Sequence, residues 1–361
     1  MSFALNLFRQ VATEQSGNFF ISSASVLAAM AIATAGANGE TESELDQVLE
    51  LNGDYQSKHR SLGELMRALS SGNLTMANRL WVNDQYQLKP EFCNFVAETY
   101  NTSVATLDVT DPDNEAARIN RWCEKNTNGK IKDIADPATI NEMLLATLVN
   151  AIAYKGSWTS KFDKKMTRDD SWFCSDGTEI TAPRMNQTLE CRVKVWDKAT
   201  TAIALELDGD VAMVLIKPYN ENISLESVVE SLTEEKIVSV LDAYENEVVV
   251  SLVKWKFEGK YDLIPTMEGL GAHSAFVEGV ADFDRMTNES IYISGITHKT
   301  FISVDEEGAE MAAATKVDFG LESAYMPFVF ETNRPFVYFA VDRKTKTILF
   351  SGRVSNPNQE S

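Results

Sequence analysis

Two apolar runs near the C-terminus leave this chain little freedom in how it folds. Pro335-Phe-Val-Tyr-Phe-Ala-Val341 and Thr347-Ile-Leu-Phe350 flank the polar turn from Asp342 to Lys346. The runs are nearly continuous in apolar residues rather than alternating, which is the pattern of a buried β-hairpin. Such a hairpin needs cover, and a chain of 361 residues that is 44% hydrophobic can supply it.

The first third reads as helix. Phe3, Ala4, Leu7, Phe8 and Val11 recur at helical spacing on one face. Ser25 is expected to cap an Ala-rich helix over residues 26–35, with Gly36 at its end. Thr41, followed three residues on by Glu44, predicts a capping box for a second helix through Leu49. A short helix is expected over residues 61–70. Strand-like segments then follow at residues 76–82, 143–154, 201–216 and 248–257. No repeat, low-complexity tract or Pro/Gly-rich linker divides the chain, so the expectation is one mixed α+β domain over residues 1–361.

Charge excludes some partners. With 33 basic and 53 acidic residues the formal net charge is −20, which repels phosphate backbones and anionic membranes. Neither nucleic acid nor membrane is an expected partner. The longest apolar run, residues 26–35, is too short to span a bilayer and has no basic segment before it. Cys93, Cys123, Cys174 and Cys191 follow no metal-ligand spacing and are expected as free thiols. Asn73, Asn101, Asn186, Asn222 and Asn288 begin acceptor triplets for glycosylation, a pattern that often arises by chance.

Enzyme motifs are missing. The chain has three histidines, His59, His273 and His298, and no G-x-S-x-G elbow, P-loop or H-E-x-x-H. Gly269-Leu-Gly271 starts like a dinucleotide loop, but Ser274 stands where the third glycine belongs, and the stretch reads as a turn after a helix. No catalytic residue, metal or cofactor is expected.

The unusual stretch runs from Asp305 to Ser323. Ala309, Met311, Ala313, Thr315, Val317 and Phe319 carry no charge, while the intervening Glu310, Ala312, Ala314, Lys316 and Asp318 include three. That is the alternation of a strand buried on one face. Its alanines and Gly320 nevertheless make a poor permanent strand. The composition alone also admits a helix with an acidic start.

Glu306-Glu-Gly-Ala-Glu-Met-Ala-Ala-Ala-Thr315 resembles the reactive-loop hinge of the serpins. The resemblance covers nearly the whole chain and keeps the family's order. Asn18-Phe-Phe-Ile-Ser22 with Ser25, Asn78-Arg-Leu-Trp81, Thr127-Asn-Gly-Lys-Ile131, Val149 to Trp158 with Phe162, Arg334-Pro-Phe-Val-Tyr-Phe339 and Phe350-Ser-Gly-Arg-Val354 all match family blocks. Departures occur too. Ser23 and Trp255 replace common prolines, Met311 replaces an inward alanine, Ala309 replaces Thr or Ser, and the stretch from hinge to Pro335 is about two residues long.

The resemblance implies a serpin fold, α+β with three β-sheets, about eight or nine helices and an exposed reactive-centre loop over about residues 306–327. It implies a monomeric suicide-substrate inhibitor whose loop, once cut, inserts into the largest sheet. The hinge is then Glu306, Glu307, Gly308, Ala309, Glu310, Met311, Ala312, Ala313, Ala314 and Thr315. Family spacing puts the scissile bond at Glu322-Ser323, with Leu321 and Glu322 setting specificity. The implied partner is a serine protease that accepts Glu, or a papain-like cysteine protease reading Leu321. A cut at Leu321-Glu322 or Tyr325-Met326 would instead imply a chymotrypsin-like target. Ser22, Ser25, Asn150 and His298 match the polar cluster that governs sheet opening. Heparin is not expected, because Lys58, Arg60 and Arg67 are the only bases near the relevant helix. The alternative role is a non-inhibitory carrier, chaperone or storage protein. The first helical pattern starts at residue 2 or 3, which favours a cytoplasmic form over a secreted one with its leader removed.

Overall fold

The structure, a computed structural model, describes residues 2–69, 74–154, 156–308 and 327–359. The C-terminal hairpin forms as expected: β13 (Phe336–Asp342) and β14 (Ile348–Val354) pair antiparallel, with Lys346 in the left-handed region at φ 59°. Around it a nine-stranded sheet is built from β1 (Phe19–Ile21), β14, β13, β8 (Val211–Pro218), β7 (Thr200–Leu207), β6 (Glu179–Trp196), β9 (Glu245–Val253) and β12 (Phe328–Glu331), with β5 (Arg168–Phe173) also on β6. A five-stranded sheet runs in the order β10 (Trp255–Asp262), β11 (Ile293–Val304), β4 (Ala146–Tyr154), β2 (Leu74–Asn83), β3 (Ala105–Leu107).

Among the described residues the strands therefore form two hydrogen-bonded sheets, of nine and five strands. β6 is 18 residues long and pairs with β5, β9 and β7 along its length, so it belongs to both parts of the nine-stranded sheet. Among the described residues there are nine α-helices: α1 (Phe3–Glu14), α2 (Ser23–Gly36), α3 (Gly39–Leu49), α4 (Tyr55–Leu69), α5 (Pro90–Tyr100), α6 (Pro112–Asn126), α7 (Leu225–Ser231), α8 (Glu234–Ser239) and α9 (Ile264–Leu270).

The helix that matters most for the site is α2. All its residues except Leu27 are buried, and it packs on β2, β4 and β14. A helix apolar on every side has no solvent face to offer, so only a position between the sheets suits it. Burying Val26, Met30 and Ile32 contributes about 2 kcal/mol each.

Several local expectations are corrected. The N-cap of α2 is Ser22, not Ser25; its hydroxyl accepts the Ser25 N–H at 3.1 Å. α3 starts at Gly39 with Asn38 as N-cap, so no capping box forms at Thr41. Tertiary partners have claimed both side chains: the Thr41 hydroxyl accepts the Asp282 N–H, and Glu44 accepts the N–H groups of His273 and Ser274. α4 begins at Tyr55, a turn and a half before expected. Residues 201–216 form a hairpin rather than one strand, turning through Gly209 and Asp210 at positive φ. Residues 248–257 split between β9 and β10, which lie in different sheets. Gly271, at φ 111°, ends α9 as the turn reading expected.

Among the described residues no helix is long and apolar enough to cross a membrane, and all four cysteines are free.

Candidate functional site

Two strands at the centre of the five-stranded sheet run parallel and pair directly, from Ile293↔Ala146 to Phe301↔Ala153. Parallel strands cannot be joined by a tight turn, and here the chain travels through most of the fold between β4 and β11. Their shared seam is closed.

A buried polar cluster sits across that seam. Tyr261, His298, Asn150 and Asn78 occupy matched positions on four successive strands, β10, β11, β4 and β2. Asn150 is held by three partners: its Nδ2 donates to Ser25 O at 2.6 Å, to Ser25 Oγ at 2.7 Å and to Asn78 Oδ1. Its Oδ1 bonds His298 Nδ1. His298 Nε2 accepts the Ser22 N–H at 3.2 Å, and Ser22 Oγ donates to Leu349 O at 2.8 Å. Ser22, Ser25, Asn150 and His298 are all completely buried.

This pattern fixes the imidazole chemistry. Nε2 faces a donor and Nδ1 an acceptor, so the ring is neutral with its proton on Nδ1. Burial drives the His298 pKa down to about 3, in agreement. The four expected cluster residues are thus brought together. Asn78, which closes the network with Ser25 Oγ at 3.2 Å, and Tyr261, whose ring lies 6.0 Å from that of His298, were not anticipated. Ser23, at the family's proline position, donates to Ile348 O at 2.9 Å and ties the first turn of α2 to β14.

At the end of β11 the chain reverses. Asp305 and Gly308 exchange N–H···O bonds at 3.1 and 3.2 Å, closing a two-residue turn over Glu306 and Glu307. Gly308 also bridges Ser157, just beyond β4, and that bridge too is antiparallel. Trp158 N donates to Glu307 O and Phe162 N to Glu306 O, each at 3.0 Å, and Trp158 Nε1 donates to Asp305 O at 2.8 Å. Only glycine fits at 308: φ is 118°, and a Cβ would lie 2.5 Å from Gly156 O and Trp158 N.

The two hinge carboxylates among the described residues, Glu306 and Glu307, are anchored. Glu306 is buried, 2.8 Å from Lys254 Nζ and 2.7 Å from the donating Thr167 hydroxyl. Burial opposes its ionisation, but those two groups outweigh it and hold the carboxyl below its ordinary range. Glu307 pairs with Lys164 at 2.9 Å and Lys161 at 3.2 Å, and the Lys164 bond lowers its pKa. Hinge residues Ala309, Glu310, Met311, Ala312, Ala313, Ala314 and Thr315, with Leu321, Glu322, Ser323, Tyr325 and Met326, lie outside the described residues.

A profile described as Serpin (serine protease inhibitor) matches residues 1–357. Human serpin B8 is 33% identical, covering 99% of this chain and 98% of its own length. The leukocyte elastase inhibitor of Xenopus tropicalis is 30% identical, covering 98% of this chain and 97% of its own. Among solved structures, the thermophilic serpin tengpin in its native state superimposes with a TM-score of 0.88 at 27% identity, covering 98% of this chain and 92% of that one. With its closed seam, its anchored hinge and its sequence all agreeing, this chain belongs to the serpin family.

Proposed function

We propose that this protein inhibits proteases as a suicide substrate, and that it is not itself an enzyme. One observation carries the reading. Gly308 is paired antiparallel with Asp305 on one side and Ser157 on the other, a pairing that would serve as the first rung of a strand entering between β11 and β4. Continuing those two registers would set Ala309 opposite Val304, Met311 opposite Ile302, Ala313 opposite Thr300 and Thr315 opposite His298. Val304, Ile302, Thr300 and His298 are all buried, so the uncharged set would face inward and Glu310 and Lys316 outward. On the other side Thr315 would fall opposite Asn150. The new strand would exchange one parallel pairing for two antiparallel ones, which are slightly more stable per residue.

In this reading the protease nucleophile attacks the Glu322 carbonyl carbon and the Glu322-Ser323 bond breaks. The Ser323 amine leaves with a proton, and an acyl ester or thioester joins Glu322 to the protease. Insertion then drags the acylated protease along before water can cleave the bond. A basic specificity pocket suits Glu322, whereas trypsin-like pockets are acidic and repel it. A papain-like enzyme would read Leu321. A charged or prolyl inward hinge residue would have argued for a non-inhibitory role; Ala309, Met311, Ala313 and Thr315 include neither. The free thiols support placing the protein in the cytoplasm. Incubation with a protease panel, followed by denaturing gels, tests the reading: covalent complexes support it, and cleavage without complexes sinks it.

A further inference from the structure

Just beyond β4, the short strip from Ser157 to Thr159 is hydrogen-bonded along both edges. One edge faces the hinge: Ser157 bridges Gly308, Trp158 N donates to Glu307 O at 3.0 Å, and the Trp158 indole donates to Asp305 O at 2.8 Å. The other edge faces the end of β7, where Trp158 bridges Leu207 and Thr159 N donates to Glu206 O at 2.9 Å. β7 belongs to the nine-stranded sheet. The hinge is therefore tied through this strip to a sheet other than the one it would enter.

Asp208 closes the second edge. Its N–H donates to Ser157 O at 2.9 Å, and its Oδ1 accepts the Ser157 N–H at 2.8 Å. Both backbone polar groups of Ser157 are thus taken by one residue, so Ser157 cannot turn without breaking a bond to it. Any residue at 208 could make the first bond, but the second needs an acceptor on a short side chain. A carboxylate acceptor also makes it stronger than a bond between neutral groups.

The mount that aims this carboxylate is itself fixed. The turn runs through Gly209 and Asp210 at φ 73° and 61°. Arg343, in the β13–β14 turn, donates its N–H to Asp210 O at 2.8 Å and pairs its guanidinium with Glu206 at 2.6 Å. Asp208 is exposed, so replacing it removes no core packing.

We propose that Asp208 is a positioning residue for the reactive loop: it holds Ser157 in the register that pairs with Gly308, and so favours trapping of the protease over its release. The proposal rests on the inhibitory reading. Without the carboxylate, Ser157 turns more freely and the pairing at Gly308 opens more often. Insertion then starts later, and hydrolysis of the acyl bond gains on it.

Hydrogen exchange in protein carrying isotope-labelled tryptophan reads the register with no protease present, because the Trp158 amide and indole both face the hinge. Asp208→Ala should speed exchange at Trp158 about fivefold, as the loss of one hydrogen bond does. The midpoint of thermal unfolding should move by no more than about 2 °C. Asp208→Asn keeps an acceptor oxygen in place and should stay closer to the parent than to Asp208→Ala. Should Asp208→Ala not fold, Asp208→Glu, with its acceptor one methylene farther out, should show the same acceleration. Parental exchange in the folded variant, or Asp208→Asn as loose as Asp208→Ala, would overturn the proposal. The second measurement counts inhibitor molecules consumed per protease trapped, using whichever protease forms most covalent complex with the parent. Asp208→Ala should consume severalfold more at an unchanged rate of loop cutting, and an equal count would also overturn the proposal. If the parent traps no protease, the inhibitory reading falls and the trapping role falls with it, while exchange at Trp158 still decides whether Asp208 holds the register.

Discussion

His298 and Asn150 occupy matched positions on β11 and β4, and the imidazole Nδ1 bonds the Asn150 side-chain oxygen across the seam between them. In the proposed mechanism a strand entering from the hinge would reach this pair at Thr315 and would have to part it. In that mechanism this hydrogen bond would hold the native sheet together and would have to break for insertion to pass. A threonine hydroxyl, donor and acceptor at once, can bond either severed partner.

Cutting the loop should stabilise the protein. On the proposed mechanism the cut would free a segment whose uncharged residues pair in register with the buried positions Val304, Ile302, Thr300 and His298. Thermal unfolding of intact and loop-cut protein should show a higher midpoint after the cut. An equal or lower midpoint would remove the inhibitory reading.

Thr315→Arg should turn inhibitor into substrate. The guanidinium would have to enter between His298 and Asn150, where both side chains are fully buried, and an unpaired charge there costs several kcal/mol. Slower insertion lets the acyl-enzyme hydrolyse first. Gels should show cut protein with at least tenfold less complex, whereas Lys316→Ala, outward in the same register, should behave as the parent. Parental complex yield from Thr315→Arg means that the facing is wrong.

The scissile bond can be read directly. Mass spectrometry of the C-terminal fragment freed from protease complexes should find a peptide beginning at Ser323. One beginning at Glu322 or Met326 would reject Glu322-Ser323 and point to a chymotrypsin-like target. Glu322→Arg should redirect inhibition toward trypsin-like enzymes.

Mild acid should destabilise the fold through two histidines. Burial lowers the His298 pKa to about 3 and that of His59, whose Nδ1 bonds the Tyr100 hydroxyl, to about 4. Unfolded, each takes up a proton near pH 6.5. The unfolded state therefore binds more protons below that pH, so stability is complete above about 6.5 and falls as pH drops toward the folded values. Each histidine contributes a slope of about 1.4 kcal/mol per pH unit in that window. Denaturant unfolding at pH 7 and pH 5 should show the loss, and His59→Gln should remove about half of it. A flat profile would mean that neither ring is held neutral.

What could be read in advance follows the range of the forces involved. The hairpin around Asp342–Lys346 was legible because its apolar runs and polar turn are contiguous. The Asp208-Gly-Asp210 turn carried a local signal of the same kind, but the apolar residues on either side masked it. Thr41 and Glu44 had the spacing of a capping box and missed, because Asp282, His273 and Ser274 offered partners more than two hundred residues away. Asn78 and Tyr261 joined the cluster through strand register alone, which no local pattern specifies. Ser22, Ser25, Asn150 and His298 were found through family likeness, not through spacing.

The pairing of Gly308 with both Asp305 and Ser157 has a kinetic meaning. Growing a strand from nothing requires a nucleus, in which chain freedom is lost before compensating bonds form. If the loop inserts as proposed, the bridges at Gly308 would serve as that nucleus, with their alignment fixed by a glycine that no other residue can replace. What would remain after cleavage is propagation, one rung at a time along a track already in phase. On the proposed mechanism, the race between trapping and release would then be set by how readily β4 and β11 part, because the search for alignment would already have been finished when the protein folded.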